Sequence, residues 1–243
     1  MLTNTFAHLP GIGEKTEQKL WMSGWHDWAQ CQAAPPDTLP RVLAAPMCRE
    51  RLAASLEYYQ RSDYRYFEQY LPAPVKWRAF GPWRDKTVYV DIETAGASNE
   101  ITVLGVYDGY HYRAFIADEN LEAGLACLED AAVVVTYNGT GFDLPIIRAR
   151  FPYNLFNHVH IDLMWPLRKL GYRGGLKRIE QALGLERSPA TRAMSGWDAV
   201  TLWHDYRRGH RQALDLLLAY NEEDVRNLEP LMQLVYERLS WSF

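Results

Sequence analysis

The sequence contains little cysteine, and no arrangement of it that would build a structural site. Cys31, Cys48 and Cys127 are far apart and odd in number, and the chain has no C-x-x-C pair and no matching histidine cluster. This usage predicts no zinc site and is typical of a reducing compartment.

Long apolar runs are also missing. The stretch MLTNTFAHLPGIGEK at the beginning has no basic start followed by an apolar segment. No later run is long and apolar enough to cross a bilayer. We therefore expect a cytoplasmic protein that has no membrane partner.

Charge of one sign is not in large excess. A net charge of −4 over 243 residues argues against a polycation that coats nucleic acid nonspecifically, although a local basic groove remains compatible with it. Apolar residues make up 48% of the chain, which is enough to form a core. At this length we expect one large domain, or one ordinary domain with a small appendage.

The stretch 87–94, TVYVDIET, carries an apolar run into two carboxylates. Side chains alternate between the faces of a strand, so Asp91 and Glu93 lie on the same side. Two ionised acids at the end of a buried strand need a counter-charge, which a divalent cation with oxygen ligands commonly supplies. The pattern predicts a metal site there. The alternative is that the two acids mark only where the strand reaches solvent.

The sequence after this strand alternates between strand and helix patterns. Strands are predicted at 87–93, 101–107, 111–116, 132–136 and 159–161, with the hairpin signal Asp108-Gly109 between the second and the third. Helices are predicted at 119–130, 142–150, 163–170, 175–184, 198–208 and 210–238. This alternation favours an α/β fold.

A Gly-rich turn lies near the beginning of the chain. Gly11 and Gly13 flank a tight turn, and a short helix is predicted from Lys15 to Met22. The turn resembles a helix-hairpin-helix, in which backbone N–H groups bind phosphate and Lys15 would face a nucleic-acid backbone. An ordinary capping turn is an equal alternative.

The segment that follows predicts where the chain divides. Residues 31–47 are expected to form a connector and 48–70 a helical stretch. The Pro-rich segment 71–82 is typical of a linker. We therefore expect a helical region at 1–75 and a second domain at 76–243.

Polar residues follow the apolar run at 132–136. The chain turns through Asn138 and two glycines, and Phe142 and Asp143 open the next predicted helix. An acid in this position also suits the helix dipole, and Asn138 also suits a turn. This stretch alone therefore does not decide between a site and local turn chemistry.

Tyr220 and Asp224 lie four residues apart in the apolar stretch LLLAYNEEDV. On a helix this spacing places both side chains on one face. A buried acid is seldom tolerated without a partner, whereas a buried tyrosine is commonly part of a core. Asp224 is therefore the stronger indication of a site.

Taken in order, three short patterns resemble the Exo motifs of the DEDD superfamily of 3′-to-5′ exonucleases: Asp91-x-Glu93, Asn138-x-x-x-Phe142-Asp143 and Tyr220-x-x-x-Asp224. The tyrosine four residues before the last acid is similar to the DEDDy branch. Bacterial exonucleases of the YprB kind are the most similar group, and the resemblance includes the hairpin-like turn. It implies a ribonuclease-H-like fold, with a mixed five-stranded sheet flanked by helices and preceded by a small helical region.

The resemblance also implies a two-metal site, with two Mg²⁺ or Mn²⁺ ions held by oxygen ligands. Asp91 would bridge both ions, and Glu93 and Asp224 would complete the site that holds the attacking water. Asp143 would act on the second ion. Tyr220 would orient the water, because an ordinary tyrosine pKa of about 10 makes it a poor general base.

The candidate substrate-binding residues are Thr94, Asn138, Phe142, Arg173, Lys177 and Arg178. The last three belong to the segment 148–192, in which basic residues far outnumber acidic ones. A basic groove beside an acidic centre suits a polyanion whose end approaches carboxylates, although exposed helix charge is an alternative.

Two histidines lie close to this segment. His158 and His160 precede Asp162, which we interpret as a helix cap. The two histidines are then residues at the edge of a strand and not metal ligands.

We therefore predict a metal-dependent exonuclease that acts on the 3′ ends of single-stranded DNA or RNA. The hairpin-like turn favours DNA. Two alternatives remain open. The first is an endonuclease of the ribonuclease H or resolvase type, and the second is a nucleic-acid-binding module without activity.

Overall fold

A mixed five-stranded sheet forms the centre of the protein, and the computed structural model describes residues 1–151 and 158–240. The strands are β1 (Thr87–Thr94), β2 (Ile101–Tyr107), β3 (Tyr112–Ile116), β4 (Val133–Thr136) and β5 (Val159–Asp162). Their spatial order is β3-β2-β1-β4-β5. The pairs β1–β2 and β2–β3 are antiparallel, whereas β1–β4 and β4–β5 are parallel. The predicted mixed sheet is confirmed, and β1 lies at its middle.

The predicted hairpin joins β2 to β3. The carboxylate of Asp108 accepts hydrogen bonds from the backbone N–H groups of Tyr110, at 3.0 Å, and His111, at 2.8 Å. Gly109 adopts a φ of +91°, which residues with a Cβ rarely adopt. Turn chemistry that is readable in the sequence therefore fixes this edge of the sheet.

Helices cover both faces of the sheet, as predicted. They are α1 (Glu14–Met22), α2 (Trp28–Ala33), α3 (Arg41–Ala44), α4 (Pro46–Gln60), α5 (Tyr64–Tyr70), α6 (Ala123–Glu129), α7 (Asp143–Arg150), α8 (Met164–Lys169), α9 (Leu176–Leu183), α10 (Gly196–Arg207) and α11 (Arg211–Ser240). Among the described residues, none of these helices combines the length and the apolar character that crossing a membrane requires.

The alternation along β1 separates the two faces. Val88, Val90 and Ile92 pack with residues of α6 and α7 on one side. Tyr89 packs with the N-terminal helices and α11 on the other. Asp91 and Glu93 follow Tyr89 at intervals of two, so they project toward α11.

The helical stretch predicted at 48–70 is two helices and not one. Ser62 adopts a left-handed φ of +55° between α4 and α5. The side chain of Asp63 then accepts a hydrogen bond from Tyr66 N–H and caps α5. The short helix α3 also lies within the predicted connector at 31–47.

The segment 71–82 is buried in part. Its three prolines are exposed, but Leu71 and the residues 77–80 are buried, unlike those of a linker. Ala73–Ala79 forms a 3₁₀ helix, and Ala79 and Phe80 have no exposed surface. One apolar cluster contains Trp28 of α2, Phe80 of this segment and Val133 of the sheet. The division at residues 75 and 76 stays a prediction, because the core is continuous across it.

A buried ion pair ties the beginning of the chain to this segment. Arg78 donates to both carboxylate oxygens of Glu17, at 2.8 and 3.0 Å, and the Glu17 side chain has no exposed surface. The same carboxylate accepts the backbone N–H groups of Phe6 and Ala7. The turn before α1 is therefore held in one orientation against the core.

A glycine in β2 lets α11 approach the sheet. A Cβ on Gly105 would lie 1.8 Å from Oδ1 of Asn221 in α11.

We expect Gly105→Ala to lower the free energy of unfolding by about 1–3 kcal/mol, because Asn221 must move out of a packed interface. Urea unfolding measures the change. Gly175→Ala is the control, because its Cβ would have no neighbour within 4 Å; equal stability of the two variants would contradict the prediction.

Candidate active site

Three acidic side chains meet where β1 ends. One carboxylate oxygen from each of Asp91, Glu93 and Asp224 lies within 4.8 Å of the other two. β1 supplies the first two, and α11 crosses the strand and supplies the third. Glu93 and Asp224 are each 7% exposed, so the cluster is largely removed from water. Carboxylates at this spacing can share a hard divalent cation.

Asp143 reaches the same end of β1 from the other side. The register between β1 and β4 ends at the pair Tyr89 and Val135. The Ile92 N–H lies beyond that pair, and it donates to Oδ1 of Asp143 at 3.2 Å. Asp143 opens α7 and is 3% exposed. A carboxylate thus replaces a strand partner where the parallel pairing stops.

Asn221 joins the acids of β1 to α11. Its Nδ2 lies 3.0 Å from Oδ2 of Asp91 and 3.4 Å from Oε1 of Glu93. Its Oδ1 accepts the hydroxyl of Tyr112 at 2.9 Å. Asn221 is fully buried, so its amide orients both carboxylates without adding charge.

Arg187 supplies a positive charge at the cluster. Its Nη2 donates to Oδ1 of Asp224, and its Nε and Nη2 donate to the two oxygens of Glu180 at 2.6 and 2.7 Å. The Arg187 side chain is 4% exposed and that of Glu180 is 1% exposed. Each of these buried charges has a partner, as burial requires.

The pKa values of the acids are raised, because burial disfavours their charged forms. Burial raises the pKa of Glu93 to about 8, that of Asp143 to about 7 and that of Asp224 to about 6. The pKa of Asp91 is raised well above its usual value, first by burial and then by Asp143. Arg187 acts against the rise at Asp224. These carboxylates are buried and repel one another, and they offer only oxygen ligands. Such a set of ligands fits a divalent metal ion.

Tyr220 lies one helical turn before Asp224, and both residues line the cavity that contains Asp91 and Glu93. The ammonium of Lys177 lies 4.3 Å from the centre of its ring. Burial and then Asp224 raise the pKa of its hydroxyl. Tyr220 therefore stays protonated and can donate a hydrogen bond, but it is not a base at neutral pH.

A cavity of about 550 Å³ opens over the acids. Thr94 and Phe142 line it, as does Trp197 of α10. Trp197 is 76% exposed and Phe142 is 41% exposed. Large exposed aromatic side chains beside a polar centre suit a ligand with flat rings.

The other predicted substrate-binding residues do not line this cavity. Asn138 adopts a φ of +63°, and its N–H donates to Asp162 at 2.8 Å. Arg173 and Arg178 are exposed at the start of α9. Lys177 contacts the site through the Tyr220 ring.

Asp162 bonds the backbone at the start of α8, as a helix cap would. Asp162 accepts the N–H of Met164 at the start of α8, and it also accepts that of Thr140 in the preceding turn. His160 bonds Thr136 at 2.9 Å, and burial lowers the pKa of both histidines to about 3. His160 is buried in β5 and His158 is buried just before it, and neither belongs to the acid cluster.

Three residues of the site were missed by the sequence analysis. Asn221 had a weak signal, because the isolated glycine in β2 indicates a close approach of another element. Arg187 was counted only as part of the basic segment, although it points inward. Trp197 had no signal, because its exposure depends on tertiary packing.

The chain was compared with known families and structures. Residues 88–236 match the family model of the RNase H superfamily, and this region contains all four acids and Tyr220. Among solved structures, the chain is similar to the family B DNA polymerase from the hyperthermophilic archaeon Pyrobaculum calidifontis. That similarity has 16% sequence identity and a TM-score of 0.50, and it covers 60% of this chain and 24% of the polymerase chain. It shows a shared fold alone. No curated protein matches the sequence significantly.

The raised pKa values predict how stability depends on pH without metal. Glu93 and Asp143 have folded pKa values of about 8 and 7, above those of about 4 in an unfolded chain. The folded protein then binds more protons, so its stability falls as pH rises. In EDTA we expect the free energy of unfolding to be about 1 kcal/mol or more lower at pH 9 than at pH 7.

Denaturant titrations in this window measure the effect. His8, His158 and His160 have pKa values lowered to about 3 and act in the opposite direction only below about pH 6.5. Within the window the Met1 amino group, whose pKa burial lowers to about 6, acts in the opposite direction, and the Cys31 thiol, whose pKa burial raises to about 11, adds to the fall. Glu93→Gln should flatten the dependence, and added Mn²⁺ should restore stability at pH 9. A flat profile for the EDTA-treated wild type would contradict the raised pKa values.

Proposed function

This chain belongs to the RNase H superfamily, and we propose that it is a metal-dependent 3′-to-5′ exonuclease of the DEDDy type, similar to the YprB-like enzymes. The observation that carries the proposal is the meeting of Asp91, Glu93 and Asp224 at the end of β1, with Tyr220 one turn away on α11. The substrate would be a single-stranded 3′ end, and the products would be nucleoside monophosphates.

Each residue of the site would have a separate role in binding metal or orienting water. Asp91, Glu93 and Asp224 would hold the metal, and Asp143 would complete the second position. Two Mg²⁺ or Mn²⁺ ions would supply the charge that stabilises the attacking and leaving oxygens at the scissile phosphate. Asn221 would keep the two carboxylates of β1 oriented. Tyr220 would donate a hydrogen bond that orients the attacking water.

Substrate contacts are proposed on both sides of the acids. Phe142 and Trp197 would stack on bases at the end of the strand, because both are exposed in the cavity. Thr94 would contact the terminal nucleotide. Arg173, Lys177 and Arg178 would contact phosphates that approach from α9, and Asn138 would shape the turn before Asp143.

The Gly-rich turn supports DNA as the preferred substrate. Gly11 has a φ of +75°, and a Cβ at Gly11 or Gly13 would have no neighbour within 4 Å, so the turn is open to a ligand. Lys15 is exposed beside it. Backbone N–H groups at such a turn suit a phosphate of a nucleic-acid backbone.

A labelled oligonucleotide tests the proposal. The protein is incubated with Mn²⁺ or with EDTA and single strands of DNA or RNA whose 3′ ends are free or blocked. Stepwise shortening of the free 3′ end is expected with Mn²⁺ only. Internal cuts would support a ribonuclease H or resolvase type of endonuclease, and binding without cleavage would support an inactive module.

We expect Asp143→Asn to lower turnover roughly 1,000-fold or more, because a neutral amide cannot hold a metal position. The fold should persist, since the amide oxygen can still accept the Ile92 N–H. Single-turnover cleavage and circular dichroism measure the two effects. Near-normal cleavage by a folded variant would exclude Asp143 from the site.

Tyr220→Phe should have a smaller effect, about 10- to 100-fold on turnover, because it removes one hydrogen bond to the water and no metal ligand. The aromatic ring still packs on Lys177. The same single-turnover assay measures the loss. A loss as large as that of Asp143→Asn would contradict an orienting role.

A further inference from the structure

A second cavity, of about 370 Å³, lies between α9 and the loop that follows it. It is separated from the cavity over the acids by two cationic side chains. Arg187 lines the second cavity and bonds Asp224 in the first. Lys177 also lines the second and contacts the ring of Tyr220. Lys177 and Arg187 therefore lie between the two cavities and contact residues of both.

Arg187 has one nitrogen without a hydrogen-bond acceptor. Its Nε and Nη2 are occupied by Glu180 and Asp224. Its Nη1 is buried and has no acceptor within the parts of the chain that the structure describes. Buried guanidinium donors are nearly always satisfied. The side chain borders the second cavity, so a small rotation of the guanidinium would bring Nη1 to an acceptor that enters from there.

The charges around this cavity favour an anion as that acceptor. Lys177, Arg187 and Arg192 line it together with two acids. One acid, Glu180, is already engaged by Arg187 and by Asn227 at 3.0 Å. The other, Glu186, is exposed. Burial and then the neighbouring Arg187 lower the pKa of Lys177, whereas Asp224, Glu180 and Glu93 act against this change.

We propose that this second cavity is an anion site that takes a phosphate group. Arg187 would donate through Nη1, and Lys177 and Arg192 would supply the remaining charge. The phosphate could belong to a released mononucleotide or to a strand. Which of these two molecules carries the phosphate rests on the proposed function, whereas the binding of phosphate itself does not. The same guanidinium bonds Asp224, so the bound anion would lie next to the acid cluster.

Inorganic phosphate is the first probe, titrated into the full chain in EDTA at low ionic strength and followed by calorimetry. EDTA removes metal, so phosphate cannot bind through an ion at the acid cluster. Saturable binding is expected for the wild type, and Arg192→Gln should weaken it about tenfold, because a charge-assisted contact is lost. Arg41→Gln is the matched control, since it removes an exposed arginine of α3. No saturable binding, or equal binding by Arg192→Gln and the control, would overturn the proposal.

A double variant tests Arg187 itself. Glu180→Gln with Arg187→Gln removes the ion pair between α9 and the loop and keeps polar side chains in place, although Asp224 also loses its bond to Arg187. Loss of phosphate binding by a folded double variant is expected, and retained binding would overturn the proposal. If circular dichroism shows that the double variant is unfolded, phosphate binding by Arg192→Gln decides whether the anion site exists.

The source of the phosphate is resolved by three ligands. Thymidine monophosphate and a short oligothymidylate are compared with thymidine, which has no phosphate. Tighter binding of the mononucleotide, sensitive to Arg192→Gln, identifies a product site, and tighter binding of the oligonucleotide identifies a strand site. Equal binding of thymidine and its monophosphate would overturn the proposal. Wild-type cleavage, measured separately, tests the exonuclease function, so each idea can fail without the other.

Discussion

Carboxylates that repel one another at the end of β1 are the constraint on which the site depends. Taking several acids out of water is costly unless other groups offset their charge. In this protein a buried arginine, a neutral amide and a backbone N–H form hydrogen bonds to the carboxylates and so stabilise them. These groups hold Asp91, Glu93 and Asp224 within reach of one cation and Asp143 at the same end of β1, and they leave the negative charge only partly balanced. The remaining negative charge suits a divalent cation with oxygen ligands.

Helix α11 brings these groups together. It runs for 30 residues across the sheet, and its buried side chains include Leu217, Leu228 and Val235. Over one turn of the same helix, Tyr220, Asn221 and Asp224 all face the end of β1. The apolar packing that stabilises the fold therefore also sets the distances within the site. A shift of α11 would disturb the core and the acid cluster together.

Sequence patterns predicted the elements that depend on local chemistry. Period-two alternation located β1 and the shared face of Asp91 and Glu93, and helical spacing placed Tyr220 beside Asp224. These periods are properties of the backbone, so one sequence suffices to read them. The family resemblance then predicted the mixed sheet, which the structure and the superfamily match confirm.

What the sequence did not predict depends on contacts between distant segments. Arg187 looked like surface charge, because its partner Asp224 lies 37 residues away. The left-handed φ of Ser62 splits a stretch with an unbroken helical pattern. The prolines of 71–82 are exposed, as in a linker, yet Trp77 and Phe80 between them are buried against side chains from both ends of the chain. Propensity describes neighbours along the chain, whereas these features are set by neighbours in space.

The buried pair of Glu17 and Arg78 bears on how small an autonomous version of this protein can be. A fragment cut just before β1 would lack both charges, but it would also lack the apolar side chains that cover one face of the sheet. A fragment that begins between them would keep a buried arginine without its carboxylate, at a cost of about 3–5 kcal/mol. The helical preface thus behaves as a structural part of the nuclease fold, and excising it would not release a minimal catalytic unit.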